Sequence, residues 1–322
     1  MSKHPVYNHR LFLAISAACL SLALTACGRH ESAPAESSAA PSAAVAATPA
    51  EPAVAPLKTE VYNPGKQGIF EVSSVLVSGE RDAVLIDAQF AAADARKLVD
   101  LVKTSGKRLT TIYISHGDPD FYFGLDTLQD AFPEAKILAT LQTVEHIRST
   151  QEGKFAYWGP KLGANAPKRI VVPQPLEGDR IELEGQSLQI VGLDGATPDR
   201  SYVWIPSIRT VAGGVPVVAG EHLFMADTQT PQSHQAWLAT LKSIEDLKPD
   251  VVIPGHFAEA AAQNLEAVRF SAGYIRAFDE EAAKAADSKA LIAAMKKRYP
   301  DLGGDLSLEI SAKVAKGEMP WH

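Results

Sequence analysis

The chain has 322 residues, a formal net charge of −7 and 46% hydrophobic residues, with only two cysteines. The negative charge argues against a nucleic-acid-binding surface, because such surfaces concentrate lysine and arginine. Both cysteines, Cys19 and Cys27, lie near the N-terminus, so the rest of the chain has neither disulfides nor thiolate metal ligands.

Residues 1–27 have the pattern of a bacterial lipoprotein signal peptide. Lys3 and Arg10 come first, a largely apolar run follows, and the stretch LTAC ends at Cys27. The apolar run is shorter than the roughly 20 residues that a helix needs to cross a bilayer. We therefore expect cleavage before Cys27 and attachment of a lipid to its thiol. An uncleaved anchor and secretion without a lipid are the alternatives.

The segment after the signal is predicted to be a disordered tether. Residues 28–57 are rich in Ala, Pro and Ser and hold almost no large apolar side chain, so they cannot bury a core. Gly28, rather than Asp, follows the cysteine and favours the outer membrane, which places the protein on the periplasmic side of the cell envelope. Residues 58–322 are rich in Val, Ile and Leu and predict one large domain without repeats.

The domain alternates predicted strands and helices, which indicates a layered α/β architecture. Strands at 72–79 and 83–90 are joined by a tight turn, and a helical pattern then ends at Gly106. The buried strand TTIYIS precedes a helix that Asp118 is placed to cap. Further strands are predicted at AKILAT, RIELEGQSLQIVGLDG, SYVWIPS, TVAGGVPVVAG and DVVIPGH, and helices at TVEHIRSTQ, SHQAWLATLKSIEDLK and after Phe257.

The sequence offers five candidate metal ligands. They are His116, Asp118 and Asp120 in SHGDPD, Asp227 in HLFMAD, and His256 in PGH. Imidazoles and carboxylates that converge from strand ends suit a divalent metal with an open position for water. Structural roles are the alternative for each: the aspartates can cap helices or turns, and the histidines can be buried or turn residues.

The order of these motifs resembles the metallo-β-lactamase-fold hydrolases over about residues 61–259. The matching positions are Asp87, His116, Asp120, Asp227 and His256. Three positions lack the family's histidine: Asp118, Phe121, and Ala196 in the turn GATPD. The resemblance implies a four-layer αββα sandwich with an altered set of metal ligands.

The resemblance also implies a metal-dependent hydrolase that attacks a small ester, thioester, lactone or amide with metal-activated water. Zinc is the first expectation, with manganese or iron as alternatives, and one ion per chain is expected rather than two. Asp120, Asp227 and His256 form the expected donor set, His116 converges on the same ion, and Asp120 also orients the water. Asp194, Glu221 and His222 are possible substitutes.

Two other interpretations stay open. The changed histidine positions also fit a binding protein that kept the fold and lost the chemistry, and the tether alone fits a structural envelope lipoprotein. The expected partners are a small-molecule substrate and, through Cys27, the membrane, but no nucleic acid. Residues 154–169 are expected to form a loop that either covers a pocket or only connects elements, and His146 and His234 are expected at the surface.

Overall fold

The computed structural model describes residues 55–195, 197 and 199–321. The predicted signal peptide, Cys27, most of the predicted tether and Ala196 therefore lie outside the described residues. Leu57, at the end of the predicted tether, is only 4% exposed. The carbonyl oxygen of Ala55 accepts a hydrogen bond of 2.9 Å from Gln186. Packing of the described domain thus begins ahead of residue 58.

The first sheet contains six strands in chain order. These are β1 (Lys58–Tyr62), β2 (Ser74–Ser78), β3 (Asp82–Ile86), β4 (Arg108–Ile114), β5 (Lys136–Ala139) and β6 (Gln174–Pro175). The first three strands are antiparallel, and β3 to β6 are parallel. Parallel neighbours need a crossover connection, and helices supply it here. The carboxyl end of β4 therefore opens directly into the segment that carries the candidate metal ligands.

Four helices belong to this half of the domain: α1 (Ala92–Ser105), α2 (Pro119–Tyr122), α3 (Leu125–Ala131) and α4 (Leu141–Leu162). The single helix predicted after Asp118 is broken into α2 and α3. The break lies at Gly124, where an added Cβ would come within 2.0 Å of the carbonyl oxygen of Ala88, so a larger residue does not fit. Helix α4 runs well past its predicted start and takes in residues 154–162, which the sequence had placed in a loop.

The second half of the domain is built on a five-stranded sheet. Its strands are β7 (Arg180–Leu183), β8 (Gln186–Val191), β9 (Tyr202–Ile205), β10 (Thr210–Ala212) and β12 (Val251–Val252), while β11 (Val218–Ala219) pairs with β13 (His256–Phe257). The helices are α5 (Pro231–Leu247), α6 (Leu265–Lys284), α7 (Ser288–Arg298) and α8 (Asp305–Ala315). Within the described residues, no helix has the length and apolar character needed to cross a membrane.

Alternating side chains of the first sheet divide the core into two clusters. Val75 and Val77 pack with the second sheet and with α5 to α7, whereas Leu76 packs with α1 and α3 on the opposite face. Successive residues of a strand point to opposite faces, so apolar residues on both faces require a covering layer on each side. The αββα sandwich predicted from the sequence is confirmed.

Candidate metal centre

A buried carboxylate holds the loop after β4 in place. Asp87 follows β3 with a positive φ of 66°, and its side chain accepts hydrogen bonds from the Ser115 backbone N–H (2.8 Å) and hydroxyl (2.6 Å). The Ser115 oxygen in turn accepts a bond of 2.6 Å from the Gly214 N–H. Burial raises the pKa of Asp87 to about 7, although both Ser115 bonds oppose the rise. This network positions His116, the next residue.

Three of the predicted ligands converge into one group. One ligand atom from each of His116, Asp118 and Asp227 lies within 4.8 Å of the other two. We call these residues the His116 group. His116 is buried, Asp118 is half-buried, and Asp227 is exposed. Nε2 of His116 lies 3.2 Å from Oδ2 of Asp118, and Nδ1 lies 3.4 Å from the Asp199 carbonyl oxygen. Three donors and open positions are what a catalytic divalent ion requires.

Asp118 does not cap the helix that follows it. Its backbone occupies the N-cap position of α2, but its side chain makes no capping hydrogen bond, so the capping interpretation is wrong. The carboxylate instead pairs with Lys154 of α4, whose Nζ also lies 3.1 Å from His146 Nε2. Burial alone would raise the pKa of Asp118, but the charges of Lys154 and His116 hold it well below its usual range.

The other two predicted ligands form a separate pair. Nε2 of His256, at the start of β13, lies 3.1 Å from Oδ2 of Asp120 in the first turn of α2. Burial lowers the pKa of His256, but the hydrogen bond and charge of Asp120 more than offset this, so the net shift is upward. This Asp120–His256 pair therefore favours the protonated imidazole beside a carboxylate.

Phe121 separates the His116 group from the Asp120–His256 pair. Its ring is fully buried and meets the His116 ring at 5.3 Å and the His256 ring at 5.5 Å, edge to face in both cases. Among the described residues, the His116 group is the only set of three that could share an ion. The expected donor set of Asp120, Asp227 and His256 is not assembled, and His116 does not converge with His256.

Asp227 lies at the edge of the site with two neighbours that the sequence did not suggest. The indole N–H of Trp321 donates a hydrogen bond of 2.6 Å to its Oδ1. Desolvation and then the Asp118 carboxylate raise the pKa of Asp227, while Arg200 and the Trp321 bond oppose the rise. Because the residue as a whole is exposed, solvent moderates this shift.

Four of the five donors, namely Asp118, Asp120, Asp227 and His256, line one cavity of about 390 Å³. This volume lies in the range of small-molecule sites, which are about 300–1,000 Å³. The walls are rich in aromatic side chains. The aromatic lining residues are Phe70, Phe90, Tyr157, Trp158, Phe224 and Trp321, and the charged ones include Asp118, Asp120, Lys154, Arg200, Glu221 and Asp227.

A family model described as the metallo-beta-lactamase superfamily matches residues 68–256, which is more than half of the chain. The chain belongs to the metallo-β-lactamase superfamily. The match takes in every member of the His116 group and of the Asp120–His256 pair. Members of this superfamily typically bind divalent metals, often zinc, and the His116 group is a possible metal-binding site in this member.

Solved structures of metallo-β-lactamases are similar to this chain. One from Pontibacter korlensis has 17% sequence identity and a TM-score of 0.51, and the match covers 69% of this chain and 95% of that chain. The DIM-1 metallo-beta-lactamase has 19% identity and a TM-score of 0.49, with 70% of this chain and 99% of that chain covered. A search of curated proteins found no match.

Several residues lie elsewhere than the sequence suggested. His234 is buried, with Nδ1 at 2.6 Å from Asp279, and His146 is half-buried beside Lys154, so neither is a simple surface residue. His222 lines the cavity but does not belong to the His116 group, and its Nδ1 lies 2.9 Å from the Tyr274 hydroxyl. Two other suggested substitutes also stay apart from the His116 group: Asp194 is exposed in a turn, and Glu221 is buried on the cavity wall.

The sequence missed the basic residues of this metallo-β-lactamase-fold site. Lys154 contacts Asp118 from 36 positions away, and Arg200 borders the cavity just before β9. A lysine within a long helix and an arginine beside a turn carry no local signal of a site. Residues 154–162 do form part of the cavity wall, through Tyr157 and Trp158, but they do so as the end of α4.

Proposed function

We propose that this protein is a hydrolase of small acyl compounds, namely esters, thioesters, lactones or amides, with one divalent ion per chain. The observation that carries the proposal is the convergence of His116, Asp118 and Asp227, because the two carboxylates of this group also line an aromatic cavity. One imidazole and two carboxylates suit zinc, with manganese or iron as alternatives. The bound ion would supply a hydroxide near neutral pH and polarise the acyl carbonyl.

The residues around the donors support such a role. The Asp199 carbonyl lies near Nδ1 of His116, an arrangement that directs Nε2 toward the Asp118 carboxylate. Lys154 pairs with Oδ1 of Asp118, whereas Oδ2 faces His116. Oδ2 of Asp118 can therefore act as a metal ligand while Oδ1 stays paired with Lys154. The carboxylate stays ionised in this arrangement, as a metal ligand must.

The Asp120–His256 pair is suited to proton transfer during hydrolysis. Both residues line the cavity, and their side chains lie 3.1 Å apart. In our proposal the Asp120 carboxylate accepts the proton of the attacking water, and Nε2 of His256 holds that carboxylate in position. The protonated imidazole also places a positive charge next to the cavity. In this proposal Asp120 acts as the proton acceptor, whereas the sequence predicted that it binds the metal and orients the water.

The proposal is tested by metal content and hydrolysis together. After dialysis against zinc, the protein should retain about one equivalent per chain and hydrolyse at least one compound in a panel of esters, thioesters, lactones and amides. Asp227→Asn should lose metal and activity in parallel. Asp250→Asn is the matched control, because Asp250 is an exposed residue that pairs with Arg209, away from the His116 group. Full activity in metal-free protein would contradict the proposal.

A binding protein without catalysis is the second candidate. The observation that favours it is the Lys154–Asp118 ion pair, because the ammonium already balances the carboxylate without a metal. Phe121, at a position where the family has histidine, removes a further donor. If the reconstituted protein retains no zinc and hydrolyses no member of the panel, yet binds small molecules in the cavity, the binding function replaces the hydrolase.

We also propose that the protein is anchored in the cell envelope on the periplasmic side. The N-terminal signal pattern and Cys27 support this location. A lipid on Cys27 would attach the catalytic domain to a membrane, with the outer membrane favoured by Gly28. The hydrolase would then act on small substrates of the periplasmic space.

A further inference from the structure

Arg200 is a buried cation that the proposed hydrolysis does not use. It precedes β9, is 6% exposed, and its guanidinium carbon lies 4.6 Å from the centre of the Trp237 ring. Trp237 is itself buried, and its indole N–H donates a hydrogen bond of 2.8 Å to the Pro216 carbonyl. A guanidinium stacked on an immobile aromatic ring has a fixed orientation.

Arg200 has no acidic partner within the described part of the chain. Its Nε is buried and has no hydrogen-bond partner among the residues that the structure describes. Several exposed arginines, by contrast, each pair with a carboxylate: Arg108, Arg169, Arg180, Arg209, Arg269 and Arg298. Burying a charge is unfavourable unless an opposite charge or hydrogen-bond acceptor compensates it. The burial of Arg200 therefore points to an anion that comes from outside the chain.

Arg200 differs from Lys154 and His256, which also line the cavity, because both are already paired with carboxylates. Lys154 also borders the cavity, but its ammonium is paired with Asp118. Asp120 is likewise engaged, through His256. Asp227 lines the same cavity and the charge of Arg200 lowers its pKa, yet no ion pair joins the two side chains among the described residues. An incoming anion thus meets a guanidinium that no carboxylate among the described residues pairs with and whose Nε has no hydrogen-bond partner there.

We propose that Arg200 binds a carboxylate of the substrate. A guanidinium presents parallel N–H groups that match the two oxygens of a carboxylate. The aromatic walls of the same cavity would accept the apolar body of the molecule. The substrate class is therefore an acyl compound that carries a free carboxylate and an apolar or aromatic group. That the bound carboxylate belongs to a substrate rests on the proposed hydrolase function, whereas the binding of a carboxylate by Arg200 is independent of it.

The binding test compares carboxylates with their neutral amides. Benzoate and benzamide, phenylacetate and phenylacetamide, and hexanoate and hexanamide are titrated into the protein by calorimetry. At least one carboxylate should bind about 10- to 100-fold more tightly than its amide, as expected for a charge-assisted bidentate contact. Arg200→Gln should remove most of this preference, and Arg200→Lys should keep part of it, because the charge remains without the planar fork.

Controls separate the contact from folding and from metal binding. Arg276→Gln changes an exposed arginine of α6 and should retain the full preference. Thermal unfolding and zinc content are measured for every variant, so that only folded proteins with equal metal are compared. A carboxylate preference that persists in Arg200→Gln would overturn the proposal, because the anion would then bind the metal or Lys154. So would a wild-type protein that prefers no carboxylate over its amide.

The catalytic test uses two esters that differ in charge. Mono-(4-nitrophenyl) succinate carries a carboxylate, and 4-nitrophenyl butyrate is neutral. The kcat/KM value for the charged ester, divided by that for the neutral ester, should be about 10- to 100-fold lower in Arg200→Gln than in the wild type. An unchanged ratio would overturn the assignment. If no ester is hydrolysed by any variant while the Arg200-dependent preference persists in calorimetry, the carboxylate site stands and the hydrolase proposal fails.

Discussion

Replacing Phe121 with histidine should create a second metal site. The Phe121 ring lies between the His116 and His256 rings, at 5.3 and 5.5 Å, and follows Asp120 directly in α2. An imidazole in the same place would bring a third donor to the Asp120–His256 pair. Three donors are the number with which catalytic zinc sites are usually built. Zinc binding should therefore rise from about one to about two equivalents per chain.

The cost and the gain of this substitution can be estimated separately. Without metal, Phe121→His loses a fully buried apolar ring and buries a polar one, which should lower the free energy of unfolding by about 2–4 kcal/mol. Free zinc at a concentration of about 100 times its dissociation constant should raise the free energy of unfolding again by about 2.7 kcal/mol. The variant should consequently be much less stable than wild type after metal removal and close to it in zinc.

Zinc titration and thermal unfolding, each with and without chelator, measure both effects. Phe121→Leu is the matched control, because it removes the ring without adding a donor and should bind no additional zinc. A variant Phe121→His that folds but still binds only one equivalent would refute the argument that Phe121 divides the donors. Two tight equivalents in the wild type would refute it as well, since the Asp120–His256 pair would then need no third donor.

Four further predictions address the site and the anchor. His116→Ala should remove most bound metal, whereas His256→Ala should retain it and lose activity; equal metal loss in both would show a shared ion. Lys154→Met should lower stability by about 1–3 kcal/mol in metal-free protein, and less with zinc, in thermal unfolding, because the Asp118 carboxylate loses its cation. Since the pKa of Asp87 is raised to about 7, the native state holds an extra proton between about pH 4 and 7. The free energy of unfolding should therefore fall as pH rises through this window, by at most about 1.4 kcal/mol per pH unit, and urea unfolding of Asp87→Asn should show a weaker dependence than Asp250→Asn. Finally, Cys27→Ser should abolish lipid labelling and release the protein from membranes, and normal labelling of that variant would contradict the predicted signal.

The sequence by itself determined the local elements. Alternation of apolar residues in β2 and β3 set which side chains face each layer, since the period of a strand is two. Gly106 ends α1 with a φ of 67°, and Glu184 and Gly185 turn between β7 and β8 with φ values of 50° and 77°. These features depend on neighbours in the chain, so local patterns were sufficient to predict them. The order of the motifs was likewise sufficient for the superfamily.

Only the tertiary structure decided how the predicted ligands are grouped. The sequence suggested that Asp118 caps a helix, but in the structure it forms an ion pair, because α4 places Lys154 against it. Trp321 reaches Asp227 across 94 positions, and Arg200 stacks on Trp237 of α5. Phe121 points between two imidazoles that lie far apart in the chain. Each of these contacts depends on how helices and strands cross in space, and the periodicity of a single segment carries no information about the segment that will pack against it.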